Sequence, residues 1–115
     1  MNNPESFFKI LYQNFNDRNI DSVIDEMTED VKWANGMEGG YVHGHRGVRD
    51  YWTRQFALIS SNVIPIEITT GNDLAKIKVH QVVHDLNKNL LADEIVYHLF
   101  RFQNDKISEF DIDKP

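Results

Sequence analysis

The stretch Leu90–Phe102, LLADEIVYHLFRF, decides the fold. It is rich in aromatic and β-branched residues and reads as one long strand. By the two-residue period, Val96, His98, Phe100 and Phe102 share one face, and Ile95, Tyr97 and Leu99 share the other. A strand that is apolar on both faces lies inside a sheet rather than at its edge. One face meets the rest of the chain. The other needs a cover, and a second subunit is the economical one. His98 is the single histidine in the most apolar part of this strand and is placed facing a pocket.

On either side of this strand the period is also two. Ile64, Ile66 and Ile68 alternate, and Pro65 marks an edge or a strand start. After a turn at Gly71-Asn72-Asp73, Ala75, Ile77, Val79, Gln81 and Val83 share one face, while Lys76, Lys78, His80, Val82 and His84 share the other. Asp85–Asn89 holds the next turn, with Asn87 and Asn89 the residues suited to left-handed backbone. Asn104-Asp105 turns the chain again into a last strand over 106–112.

The first half of the chain has a period near 3.6. Asn3-Pro4-Glu5 is a helix start, followed by the stripe Phe7, Phe8, Leu11, Tyr12 and Phe15. Asn19 caps a shorter helix with Ile20, Val23, Ile24 and Met27 on one side, ended by Thr28-Glu29-Asp30. Val31-Lys32-Trp33 is a short strand, and a glycine-containing loop follows over 35–40. Gly47 is placed to open a third helix, with Val48, Tyr51, Trp52, Gln55, Phe56 and Ile59 on one face and Ser60-Ser61-Asn62 as its close. Helices gathered first and antiparallel strands after them give an α+β architecture in a single domain over residues 1–115.

Composition narrows the function classes. The 115 residues carry a net charge of −6, which opposes a phosphate-backbone footprint and hence nucleic-acid binding. There is no cysteine, so disulfides and thiolate metal sites are unavailable, which suits a cytoplasmic protein. No apolar run approaches the ~20 residues that span a bilayer, and MNNPESFF lacks the pattern of a secretory signal. Two histidine pairs, His43/His45 and His80/His84, invite a metal reading. Alternate strand residues lie ~7 Å apart and every fourth ~13 Å, and no third ligand accompanies either pair, so no metal site is expected.

Chemistry therefore centres on His98. Burial disfavours its second proton, and a neutral imidazole can donate or accept one. Gln81 is the lone amide on an aliphatic face and is expected inside, with His80 outward. Asp111, Asp93 and Glu94 are carboxylates that could orient His98. Trp33, Tyr51, Trp52, Phe56 and Phe100 are candidate pocket walls.

Three stretches carry a resemblance to a known family: Glu29-Asp30-Val31-Lys32-Trp33, then Val42-His43-Gly44-His45-Arg46-Gly47-Val48-Arg49-Asp50-Tyr51-Trp52, then Val96-Tyr97-His98-Leu99-Phe100-Arg101-Phe102 running into Asp105-Lys106-Ile107. With the element order, they make the chain similar to the NTF2-like superfamily, and within it to SnoaL-like proteins, the group of ketosteroid isomerase and polyketide cyclases. The resemblance implies a cystatin-like cone: a bent antiparallel sheet wrapped around three N-terminal helices, with a pocket at the wide end. It also implies cofactor-free isomerisation, cyclisation or dehydration of a compact cyclic or aromatic molecule. Beside ketosteroid isomerase, the proton-abstracting carboxylate falls at Asn35 and the protonated acid of the oxyanion site at His98. The first-helix tyrosine falls at Leu11 or Tyr12, and a third-helix tyrosine at Trp52. Asn cannot be a general base, so steroid isomerisation itself is not expected. The superfamily also holds binders and assembly modules. The expected site is thus His98 as acid or base, Asn35 and Gln81 as donors to an oxyanion, and Tyr12, Trp33, Tyr51, Trp52, Phe56, Phe100 and Asp111 as ligand contacts. The partners expected are a small hydrophobic molecule and a second copy of the chain across the sheet face.

Overall fold

The computed structural model describes residues 3–115; Met1 and Asn2, which begin the stretch judged not to be a signal, lie outside them. Helix α1 spans Pro4–Asn16. Its start is built as the residues suggest: the Asn3 side chain accepts a hydrogen bond from the Ser6 amide at 3.1 Å, and Pro4 occupies the first turn. Phe8, Leu11 and Tyr12 form its buried face. Helix α2 is a single short piece, Ile20–Ile24.

Strand β1, Met27–Ala34, begins where the second helix was expected to end, so Thr28, Glu29 and Asp30 belong to the sheet. A loop leads to β2, Tyr41–His43, and directly to α3, Gly44–Phe56. The third helix thus opens three residues before Gly47. Gly44 holds a φ of +74°, and a Cβ there would meet the Glu29 carbonyl oxygen at 3.3 Å, so both conformation and space call for glycine. Ser60-Ser61-Asn62 does not close this helix; β3 already runs from Ile59 to Gly71. Strands β4 (Leu74–Asp85), β5 (Leu90–Gln103) and β6 (Lys106–Asp113) complete the chain. In the β4–β5 turn it is Lys88, at φ +68°, that takes the left-handed backbone. Asp85 makes this tolerable by accepting hydrogen bonds from the amides of Asn87 and Asn89. Asn104 and Asp105 both have positive φ, as a tight hairpin turn requires.

The six strands form one sheet in the order β2-β1-β6-β5-β4-β3. The long strand β5 is interior, and Pro65 lies on the edge strand β3, as expected. One pairing was not legible beforehand: β1 runs parallel to β6, closing the N-terminal half onto the end of the chain. Register shifts in β3–β4, β4–β5, β5–β6 and β1–β6 mark bulges, which bend the sheet around the helices. The inner face carries Val63, Ala75, Ile77, Val79, Val96, His98, Phe100, Phe102, Ile107 and Phe110, all buried.

An aromatic chain stiffens this interior. Phe8 meets Phe100, and Phe100 meets Phe110, each at 5.1 Å between centroids. Phe110 stacks on Trp33 at 4.0 Å, Trp33 meets Trp52 edge-on at 5.4 Å, and Trp52 meets Phe15 at 5.5 Å. Edge and offset contacts of this kind add to simple area burial.

The edge of β3 is held to α1 by polar contacts. Asn16 donates to the Val63 carbonyl at 2.8 Å and accepts from the Val63 amide at 2.9 Å, pairing an exposed strand edge as another strand would. Arg18 donates to the Ser61 carbonyl and lies over the Phe56 ring. Each half-buried hydrogen bond contributes roughly 1 kcal/mol. Asn16→Ala should therefore lower the unfolding free energy by ~2 kcal/mol in urea titrations, with Gln13→Ala on the exposed face as the neutral control; equal stability of the two variants would contradict the clamp.

Candidate functional site

Between the inner face of the sheet and helices α1 and α3 lies a cavity of about 730 Å³. That volume sits within the usual range for small-molecule sites. Its floor is formed where Tyr12, His98, Phe100, Phe110 and Trp33 meet, and its rim by the β1–β2 loop and the ends of β4, β5 and β6.

His98 is 7% exposed. Tyr12, projecting from the middle of α1, places its hydroxyl 2.7 Å from His98 Nδ1, and the two rings lie nearly parallel at 5.7 Å. Phe110 packs edge-on against the imidazole at 4.9 Å. Burial pushes the imidazole pKa down from 6.5 to about 3, so the ring is neutral at pH 7. Burial also pushes the Tyr12 phenol well up, so it keeps its proton. Either the phenol donates to Nδ1 or a protonated Nδ1 donates to the phenol oxygen, and the phenol has no other acceptor among the described residues. Where the phenol is the donor, the imidazole proton is on Nε2, which has no hydrogen-bond partner among the described residues. That tautomer presents one N–H donor at the floor of an aromatic cavity.

Among the described residues no carboxylate orients His98. The Tyr41 hydroxyl donates to Asp111 at 2.6 Å, Asp93 pairs with His80 at 2.6 Å, and Glu94 pairs with Lys114 at 3.0 Å. The packing of α1 against β5 was needed to see that Tyr12 takes that place. Tyr12 was named for its place in a family pattern; its partner was hidden by a separation of 86 residues.

Asn35 lines the cavity, but its amide is engaged in the loop it begins. Its oxygen accepts from the amides of Met37 and Glu38 at 3.1 and 2.8 Å, and its nitrogen donates to Glu38 at 3.2 Å. That hydrogen bond, with Arg54 behind it, holds the Glu38 carboxyl below its ordinary pKa. Tyr51 accepts from the Gly36 amide at 3.1 Å and so fastens the same loop to α3. Trp33, Trp52, Phe100 and Gln81 also line the cavity, with Gln81 inward and His80 outward as the alternation indicates. Phe56 does not line it. It packs against Phe15 at 5.5 Å beneath Arg18, one layer behind the wall. Among the lining residues not expected in the site are two polar ones: Gln55, whose Oε1 is buried without a partner, and Ser61, which was assigned to a helix end. Gln55 stood on the predicted inner face of its helix, so its period was the available signal.

Among the described residues no three His, Asp or Glu side chains come close enough to hold a metal ion. His45 Nε2 lies 3.0 Å from the Met27 carbonyl oxygen. No helix among these residues is long and apolar enough to cross a membrane.

Comparison with known proteins places this geometry. No curated protein matches the sequence. Among solved structures, an NTF2-like protein of unknown function from Burkholderia pseudomallei is 22% identical, with 96% of this chain and 89% of that one covered at a TM-score of 0.85. TerC, co-crystallised with polyporic acid, is 21% identical over 91% of this chain and 85% of its own, at 0.81. The epoxide hydrolase/cyclase-like enzyme SalBIII is 13% identical over 94% and 87%, at 0.78. At these identities the likeness shows the fold, and the expected NTF2-like cone is the fold observed. Residues 9–110 match the SnoaL-like domain, and the chain belongs to that family.

Proposed function

We propose that the chain binds a compact cyclic or aromatic carbonyl compound in this cavity, with the carbonyl oxygen on His98 Nε2. The observation that carries this reading is the Tyr12–His98 bond; with the phenol as its donor, a neutral imidazole keeps a free N–H at an aromatic floor. A carbonyl accepts one hydrogen bond end-on and brings no charge into the desolvated site. A relative of the same fold co-crystallised with polyporic acid supports the choice of an organic ligand.

The chemistry that fits is cofactor-free proton transfer next to that carbonyl, the carbon's proton passing to the carboxylate of Glu94 or Asp111, both of which line the cavity. His98 acts as a polarising donor rather than a base. Charging it at neutral pH would cost about 5 kcal/mol, given a pKa of about 3. As negative charge develops on the ligand oxygen, a preplaced N–H in a dry site becomes more valuable. A second reading, binding without turnover, is favoured by the pairing of both rim carboxylates and by the tied amide of Asn35. We also place the protein in the cytoplasm as a homodimer. Half-buried Val82, Ile95, Tyr97 and Leu99 with exposed Ile64 make the outer sheet face apolar enough to be covered by a second copy.

Aryl cyclohexanones should raise the melting temperature of the wild type by mass action, and His98→Leu should weaken their binding by 10-fold or more, on the order of one hydrogen bond in a dry site. The same titrations in deuterated water, followed by proton NMR, separate the two readings. Deuterium entering next to the carbonyl, and lost in His98→Leu, identifies catalysis; binding without exchange identifies a binder. Absence of any ketone binding by the folded wild type would contradict the assignment. For the dimer, sedimentation should give twice the chain mass, reduced to one chain by Tyr97→Glu; a monomeric wild type at micromolar concentration would refute it.

A further inference from the structure

The cavity has a second polar end, opposite the His98 floor. We infer that Gln81, Ser61 and Gln55 form a distal hydrogen-bonding subsite that selects ligands carrying a hydroxyl at the end remote from their carbonyl. This deepens the reading above and rests on it.

The sheet register puts the two ends far apart. Gln81 lies opposite Glu94, and Glu94 precedes His98 by four residues on the same face of β5. Four strand residues span ~13 Å, so Gln81 cannot share the ligand oxygen held by His98. Ser61 is paired with Val83, two residues beyond Gln81, which makes Ser61 and Gln81 diagonal neighbours on the inner face. Helix α3 runs through Ala57 and Leu58 into β3, so Gln55 at its C-terminal end stands at the same end of the cavity as Ser61. All three line the cavity.

Their polar atoms lack partners. Gln55 is 8% exposed, and its Oε1 is buried with no hydrogen bond. Neither the Gln81 amide nor the Ser61 hydroxyl makes a side-chain hydrogen bond among the described residues. Buried polar groups are nearly always paired, and each one left unpaired carries a desolvation cost. The nearby carboxylate does not provide a partner: Glu94 is engaged by Lys114. Its charge at this end disfavours an anionic group. A hydroxyl both donates and accepts, so it matches an amide oxygen, an amide nitrogen and a serine together. Between the two ends the walls are aromatic and aliphatic, formed by Phe15, Trp52, Val63 and Val96. The ligand is therefore neutral, two or more rings long, and polar at both tips.

The test is calorimetric titration of the wild type with two ketones. One is cyclohexanone bearing a para-hydroxyphenyl group opposite its carbonyl; the other carries a plain phenyl group. The hydroxylated ketone should bind about tenfold tighter. Gln81→Leu, or Ser61→Ala if that variant does not fold, should erase the preference, so that the two ketones bind alike. Gln55→Leu should reduce it in the same direction. Equal affinities in the wild type, with both still lost in His98→Leu, would overturn the subsite and leave the cavity reading standing. Failure of both ketones to bind would overturn the cavity reading, and the subsite with it.

Discussion

The hydrogen bond from the Tyr12 hydroxyl to His98 Nδ1 is the contact on which the site depends. It joins the first helix to the central strand across most of the chain. In water such a bond would contribute little. Here both rings are buried, and neither has another hydrogen-bond partner among the described residues, so the bond ties one imidazole nitrogen to the phenol and leaves the other facing the cavity. Remove the phenol and the imidazole is free to present either nitrogen to the cavity. In the proposed tautomer, with the phenol as donor, it presents only a donor.

The fold supplies what that bond needs. Burial keeps the imidazole neutral and the phenol protonated. The stacked and edge-on rings of Trp33, Phe100 and Phe110 fix the orientation of His98 and exclude water from its sides. Bulges curl the sheet so that β5 faces α1, and the Asn16 and Arg18 contacts hold the end of α1 to the sheet edge. The loop after β1 is fastened to α3 through Asn35, Glu38, Tyr51 and Arg54, which shapes the rim without placing a free acid in the cavity.

Much of this was legible in the residues, for reasons that differ by element. The inward row of β4 and β5 follows from the alternation of small and large apolar groups, and the start of α1 from its cap. His98 stood out because a histidine among aromatics on the inner face of a long strand has few roles. The parallel β1–β6 pair was not legible, since a chain closing its ends together leaves no local mark. The start of α3 was placed at Gly47, three residues late, and only the backbone shows that Gly44 carries the positive φ. Phe56 shares a helical face with Trp52 but stands one turn further along α3, and that turn separates supporting the cavity from lining it. The Tyr12–His98 contact joins two elements at long range, which no local pattern marks.

The central claim is that His98 is a neutral imidazole with its proton on Nε2. Long-range nitrogen–proton correlation NMR on protein labelled at histidine tests it directly. The account predicts a protonated Nε2 and a bare Nδ1 for His98, unchanged from about pH 8 to pH 5, where an ordinary histidine titrates. In Tyr12→Phe that pattern should give way to a mixture of the two neutral forms. A wild-type His98 protonated on Nδ1, or one that gains its second proton with a midpoint near 6.5, would contradict the account.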